Sequence, residues 1–269
     1  MAIVVKIGGS ILKQGINPSI LKDLKDTYLQ QKVLLVHGGG DQVTEIAEKL
    51  GKPQKFIISP GGIRSRYTDL ETIVIFTMVM VGKINKELVT TLHKADINAI
   101  GLSGVDGSII KAERKKKLII INERGRKMVI EGGYTGKINE INSNLLKILL
   151  KEDYMPVVAP IAIGDEGELL NVDGDRAAAY IAGSLGADKI IFLTDVPGVL
   201  MDGKPISKMS ILEAKEIMPK IGFGMEKKIL ASLEAVSMGV KESIITSGII
   251  DDPIKMAIDH KIGTVIYSG

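Results

Sequence analysis

The sequence predicts an α/β fold: an open, mainly parallel sheet with helices on both faces, plus attached antiparallel hairpins. Three observations predict it. Short runs of β-branched and apolar residues recur along the chain, longer stretches with helical spacing separate them, and glycines stand where several runs end. A strand buried on both faces reads as an unbroken apolar run, whereas a half-exposed strand alternates. Unbroken runs separated by helices imply parallel strands joined by crossover helices.

The elements follow in order. Val4-Val5-Lys6-Ile7 is a strand ending in Gly8-Gly9. Asn17 to Gln31 reads as a helix, because Asn-Pro-Ser is a cap followed by proline in the first turn, and Leu21 and Leu24 share a face. Val33-Leu34-Leu35-Val36 ends in Gly38-Gly39-Gly40, and Asp41 opens a helix expected to bury Ile46, Ala47 and Leu50. Lys55 to Ser59, followed by Pro60-Gly61-Gly62, reads as a hairpin arm. Asp69 to Lys94 reads as one long helix that is apolar nearly all round from Ile73 to Val81, so it must be covered on every side. Its own sheet and a second copy of the chain would supply that cover, which predicts a homodimer or larger assembly. Gly101-Leu102-Ser103-Gly104 is read as a third glycine-bearing strand end before a helix.

Ile109 to Glu131 breaks the alternation with three short β segments, an antiparallel patch attached to the sheet. Pro156 to Ala159, Lys189 to Leu193, Ser243 to Thr246 and Thr264 to Tyr267 are the remaining strands. No Pro/Ser/Gly linker and no repeat divides the chain. A single domain over 1–269 is expected, with functional halves of about 1–165 and 166–269.

Composition narrows the chemistry. Apolar residues are 45% and charged residues 25% of 269, which excludes a disordered or collagen-like chain. There is no cysteine and there are three histidines, so disulfides and thiol catalysis are excluded and no metal-ligand set is expected. Lysine and arginine exceed the acids by 35 − 32 = 3, too little to indicate a nucleic-acid binder. The nine-residue apolar run at Ile73–Val81 is far short of the roughly 20 residues a membrane span needs. No charged-then-apolar leader precedes the first strand, so a cytoplasmic protein without membrane contact is expected.

Glycine after a strand admits backbone N–H groups to an oxyanion, although one such turn more often serves only the bend. Two clusters after the first two strands shift the reading toward an anion site. Neither a P-loop nor the Gly-x-Gly-x-x-Gly of dinucleotide binders is present. Lys6 beside Gly8 and Gly9 is then expected to face an anion rather than reach for solvent. Asn171-Val172-Asp173-Gly174-Asp175 precedes a helix of small residues. One acid there would be a cap; a second, Asp175, is suited to hold lysine ammonium groups. Thr194-Asp195-Val196-Pro197-Gly198 turns at a strand end, where a nucleotide lies in open α/β sheets. Gly222-Phe223-Gly224-Met225-Glu226-Lys227-Lys228 opens another helix with backbone and charge for phosphate.

In this order the motifs resemble those of the amino acid kinase family, N-acetylglutamate kinase branch. The matching blocks are Lys6 to Gly9, Gly38 to Gly40, Arg66-Tyr67-Thr68, Asn171 to Asp175, Thr194 to Gly198, and Gly224-Met225 with Lys228, spread over nearly the whole chain. The resemblance implies transfer of the ATP γ-phosphoryl group, with Mg2+ carried mainly by the phosphates. It implies Lys6 and Lys228 as catalytic cations oriented by Asp175, with Lys227 adjacent and disfavoured only by register. It assigns Gly39, Gly40, Arg66 and Asn171 to the acid substrate, and Gly8, Gly9, Thr194, Asp195, Gly198, Gly224 and Met225 to the nucleotide.

Ser-Arg-Tyr-Thr-Asp at Ser65–Asp69 and Tyr134-Thr135-Gly136-Lys137 are most similar to the [LysW]-aminoadipate/[LysW]-glutamate kinases of lysine and arginine biosynthesis. There the amino group is blocked by an amide to the C-terminal glutamate of a small acidic carrier protein. Lys111, Arg114, Lys115, Lys116 and Lys117 are read as a basic patch for that carrier, against a plain solvated hairpin face. RNA is disfavoured because no aromatic lies among them. An N-acetylglutamate kinase on free substrate is the nearest alternative, and a non-catalytic amino acid sensor a more distant one.

Overall fold

The computed structural model describes residues 2–13, 15–222 and 224–269; Phe223 of the second glycine stretch lies outside them. From the start of the chain, β1 (Ala2–Ile7) and β2 (Lys32–His37) bury five consecutive residues each, as unbroken apolar runs require. Between them lies α1 (Pro18–Gln30), capped by Asn17, whose side chain accepts from the Ser19 N–H. α2 (Gly40–Lys49) buries Val43 and Ala47, whereas Leu50 ends up 58% exposed just past its end. Ile46 packs against the same core, so only Leu50 departs from the expected stripe, because the helix ends at Lys49 and Leu50 is its C-cap. A hairpin of β3 (Phe56–Ile58) and β4 (Arg64–Arg66) follows.

The long helix is present from its Asp69 cap to Lys94. It consists of α3 (Leu70–Thr77), a π-helical stretch at Met78–Ile84 and α4 (Asn85–Lys94). Ile73, Ile75, Phe76, Val79 and Met80 are buried, while Leu70, Val74 and Met78 form an exposed apolar stripe at helical spacing. β5 (Ala99–Ser103) contains Gly101 in its interior. A Cβ at Gly101 would meet Asn85, Lys86 and Val89 of α4. That glycine serves close helix–strand packing, and a turn with a short 3-10 segment follows it rather than a helix.

β6 (Ile110–Arg114), β7 (Lys117–Ile121) and β8 (Lys127–Glu131) are the three expected short strands. β7 and β8 pair only with each other, while β6 joins β9 (Gly136–Ile141). After α5 (Asn144–Lys151) come β10 (Met155–Ala159), β11 (Ile161–Ile163) and β12 (Leu169–Asn171). α6 (Gly174–Leu185) leads to β13 (Lys189–Thr194), the two-residue strands β14 (Leu200–Met201) and β15 (Lys204–Pro205), and β16 (Lys208–Ser210). α7 (Ile211–Ile217), α8 (Met225–Ser237), β17 (Glu242–Ser247), α9 (Pro253–Ile258) and β18 (Thr264–Tyr267) complete the chain.

Eight strands form the main sheet in the order β16-β18-β17-β13-β1-β2-β10-β5. Every pairing is parallel except β17 with β18. Apolar clusters on both faces bury Val4, Leu34, Val158 and Ile190 on one side and Val5, Leu35, Val157 and Ile191 on the other. Strand order reverses in direction around the central β1, so loops after neighbouring strands diverge there and leave a crevice at their carboxyl ends. A second sheet, β12-β11-β6-β9, stands beside that crevice.

Candidate active site

Three helix starts converge on the crevice: Gly39–Gly40 at α2, Asp173–Asp175 at α6 and Gly224 at α8 all line one cleft. Each places unsatisfied N–H groups and a partial positive charge toward the same space. No helix stands directly behind Gly8–Gly9, since α1 begins only at Pro18. The two glycine loops nevertheless touch. A Cβ on Gly9 would lie 2.8 Å from the Gly39 nitrogen, and one on Gly38 would lie 2.8 Å from the Gly9 nitrogen. Only glycine permits that approach, which gathers the N–H groups of both loops.

Lys6 is the fifth residue of β1 and is 6% exposed. Its Nζ lies 2.6 Å from Asp175 Oδ1, and Lys228 Nζ donates to Asp175 Oδ2 at 3.1 Å. Burial alone would push the Asp175 carboxyl up, but the two ammonium groups outweigh it and hold it well below the usual carboxylate range. The trio carries one net positive charge in a largely dry setting. Lys227 points elsewhere, donating to the Arg64 carbonyl at 2.7 Å with Asp173 at 4.0 Å. Asp173 caps α6 through the N–H groups of Asp175 and Arg176, and Arg176 pairs with Glu234, tying the α6 start to α8. The carboxylate and the second ammonium are thus fixed by a helix–helix clamp.

Two clefts meet at this trio. One, of about 540 Å³, contains Gly39, Gly40, Arg66 and Asn171 together with Lys6 and Lys228. The other, of about 390 Å³, contains Gly8, Gly9, Thr194, Asp195, Gly198, Gly224 and Met225, again with Lys6 and Lys228. The residues assigned to acid substrate and to nucleotide therefore fall into two separate spaces that share Lys6, Gly9, Gly224 and Lys228. No cluster of three or more acidic or histidine side chains suited to a metal occurs among the described residues. None of their helices is long and apolar enough to cross a membrane.

Arg66 is more committed than a free carboxylate fork would be. Its Nη2 donates to the Gly40 carbonyl at 2.7 Å and to Thr44 Oγ1 at 2.8 Å, and its Nη1 donates to Gln54. Two of its five N–H donors remain. The residue anchors the β3–β4 hairpin to the start of α2. Asn171 donates to Thr68 Oγ1 at 3.0 Å, which ties β12 to the chain just after that hairpin.

Two residues escaped sequence reading. His37 and Asn85 are fully buried beneath the glycine loop. His37 Nδ1 lies 3.0 Å from the Gly38 carbonyl, an acceptor only, so Nδ1 bears the proton. Nε2 then accepts from Asn85, which also donates to Val157 O at 2.8 Å. Burial is the main force lowering the His37 pKa, to about 4. The neutral ring fixes the Gly38 carbonyl inward, and in a trans peptide the Gly39 N–H points the opposite way. The only sequence signal was a histidine ending an apolar strand.

The basic patch is divided by the structure. Lys111 pairs with Glu140, Lys116 pairs with Glu166, and Arg114 donates to the Gly133 carbonyl while stacking on Tyr134. Lys116 and Lys117 are exposed. Lys115 turns the other way and lines a chamber of about 320 Å³ with Arg66 and Asn171. The five residues do not make one surface, because successive residues at a strand end face opposite sides.

Residues 1–247 match the amino acid kinase family. A protein of Nitrosopumilus maritimus is 57% identical over 264 residues, covering 98% of each chain. The [LysW]-aminoadipate/[LysW]-glutamate kinase of Sulfolobus acidocaldarius is 48% identical over 265 residues, 98% of this chain and 99% of its own. Among solved structures, smu.665 from Streptococcus mutans superposes with a TM-score of 0.79 at 25% identity, over 100% of this chain and 99% of that one.

Proposed function

Since the chain belongs to the amino acid kinase family, we propose that it phosphorylates the side-chain carboxylate of α-aminoadipate, glutamate or both, held on a LysW-type carrier protein. The product is an acyl phosphate of lysine or arginine biosynthesis. The observation that carries this reading is the meeting of two clefts at Lys6, Asp175 and Lys228. The family uses ATP, and the cleft of Thr194, Asp195, Gly198 and Met225 is its place. The cleft of Arg66 and Asn171 takes the acid. Residues 1–165 supply most of the acid side and 166–269 most of the nucleotide side.

The reaction needs little besides positioning and charge. A carboxylate oxygen attacks the γ-phosphorus, a P–O bond forms, the bond to the β-phosphate bridging oxygen breaks, and ADP leaves with the electron pair. Lys6 and Lys228 neutralise charge on the transferring group from both sides of the junction. Asp175 holds them apart from each other and takes no proton at neutral pH. The N–H groups of Gly9, Gly39 and Gly40 bind phosphoryl oxygens. Mg2+ would be carried by the ATP phosphates, because the carboxylate at the junction is already engaged by two ammonium groups.

N-acetylglutamate kinase activity on free substrate is the alternative. The chamber beyond Arg66 and Asn171 favours the carrier-linked acid, since an acetyl group needs no such space. Retention of the Lys6–Asp175–Lys228 trio disfavours a sensor without turnover. ADP release in the presence of carrier-linked and acetylated acids decides among them: a far higher kcat/KM on the carrier-linked acid is expected, and turnover only on the acetylated one overturns the assignment. The exposed stripe Leu70, Val74 and Met78 supports a homodimer, which sedimentation of Val74→Glu tests by its loss.

A further inference from the structure

The chamber between the two hairpins is not explained by phosphoryl transfer. It opens off the acid cleft through Arg66, Asn171 and Asp173, which line both. One wall is apolar, formed by Ile57, Ile63, Leu118 and Ile120. The other carries Lys115, Arg176 and Lys227. Arg176 is answered by Glu234, and Lys227 by the Arg64 carbonyl. Lys115 is half-buried and has no salt bridge or side-chain hydrogen bond among the described residues. Burial is the main force lowering its pKa, with the charges of Arg176 and Lys137 next and Asp173 opposing them only in part. A cation kept in such a place without a partner is poised for an anion that arrives with the ligand.

We propose that this chamber receives the acyl group that caps the substrate's amino nitrogen, and that Lys115 binds a carboxylate carried on that cap. The inference rests on the assignment of Arg66 and Asn171 to the acid substrate. With the reacting carboxylate at Lys6 and Lys228 and the amino-acid end at Arg66 and Asn171, the capped nitrogen faces the opening of the chamber. An acetyl cap has nothing to offer Lys115. A dicarboxylic residue joined through one carboxyl group still has the other, and its methylenes would lie along Ile57, Ile63 and Leu118. Lys115 is then a specificity residue that tells a carrier-linked acid from a simply acylated one by direct contact. It does not act by attraction at a distance.

The test uses two small probes that differ only at the cap's far end. N-glutaryl-L-glutamate has a carboxylate where N-pentanoyl-L-glutamate has a methyl group. Dissociation constants are measured by calorimetry on the full chain, with ADP release alongside. The wild-type chain is expected to bind the glutaryl probe about tenfold or more tighter, the range of one charge-assisted hydrogen bond. Lys115→Gln should bring that ratio near one, and Lys115→Arg should keep most of it. An undiminished ratio in Lys115→Gln, equal weakening of both probes, or no preference in the wild-type chain overturns the proposal. Preferential binding of the glutaryl probe, with no ADP release on it or on the carrier-linked acid, would leave the chamber assignment standing and remove the kinase assignment instead.

Discussion

The cleft junction and the chamber beside it are both lined with lysine, and they manage the charge differently. At the junction, Lys6 and Lys228 share one carboxylate that burial would otherwise neutralise, and a helix clamp fixes its place. In the chamber, Lys115 has no salt bridge among the described residues, and Asp173 offsets the like charges of Arg176 and Lys137 only in part. The junction is organised before any ligand arrives, which suits charge that must be stabilised only as a phosphoryl group passes. The chamber is completed by its ligand, which suits recognition. Charge that is answered inside the protein speaks for chemistry, and charge that is not speaks for a partner.

The largest effects should come from unbalancing the junction. Lys6→Ala and Lys228→Ala are each expected to lower kcat by on the order of 10²–10³ with a smaller change in KM, the usual loss for one preorganised donor. Steady-state kinetics under saturating ATP read this, and near wild-type turnover in Lys228→Ala would remove the residue from the site. Asp175→Asn should fold and turn over slowly, since its amide cannot neutralise two ammonium groups. Because the Asp175 carboxyl is held below its ordinary value, its stabilising contribution is present above that value. It disappears as pH falls through the lowered one.

A second, smaller effect separates structural support from catalytic charge. The buried His37 stays neutral down to about pH 4, whereas in an unfolded chain it takes up a proton near 6.5. The unfolded state therefore binds more protons between those values, and stability falls as pH drops from 6.5 toward 4. The loss is on the order of 3 kcal/mol across that window. Denaturant titrations at several pH values should show this slope in the wild-type chain and a flatter one in His37→Gln. Equal slopes would mean that the ring is not held neutral beneath the glycine loop.

How much of this was legible in the sequence depended on how local each signal was. The central strands were readable because burial on both faces forces unbroken apolar runs such as Ile190 to Leu193. Lys6 and Asp175 were readable because each sits in a distinctive local motif. Lys228 was told from adjacent Lys227 only by register with the family pattern, until the structure pointed one at Asp175 and the other at Arg64. Gly101 was not legible as a packing residue, since a glycine that admits α4 against β5 has the same letter as one that ends a strand. The reversed direction of β18 against β17 left no trace in composition, because both strands are buried runs. Lys115 was unreadable for a geometric reason. In a run of four basic residues, no pattern tells which one faces inward until the register of β6 and the start of β7 are known.

That run supplies the smallest and most discriminating prediction. Lys115 and Lys116 are neighbours, yet one lines the chamber and the other stands in solvent with Glu166 at 3.3 Å. Exposed charges of the second kind contribute less than about 1 kcal/mol each. They act chiefly on the rate of encounter and are screened beyond about 8 Å at physiological salt. Replacing Lys116 and Lys117 by glutamate should therefore raise KM for a carrier-linked acid by at most about fivefold per residue. The rise should fade as salt is added, because screening removes both the attraction in the wild-type chain and the repulsion in the variant. Turnover at saturation should hold, and small acylated acids should be used equally well by both chains. Lys115→Gln should differ on each count: its defect should persist in high salt and extend to a small probe whose cap bears a carboxylate. If the two sets of variants instead share one salt-sensitive defect confined to the carrier, Lys115 belongs with the surface charges and the chamber loses its role.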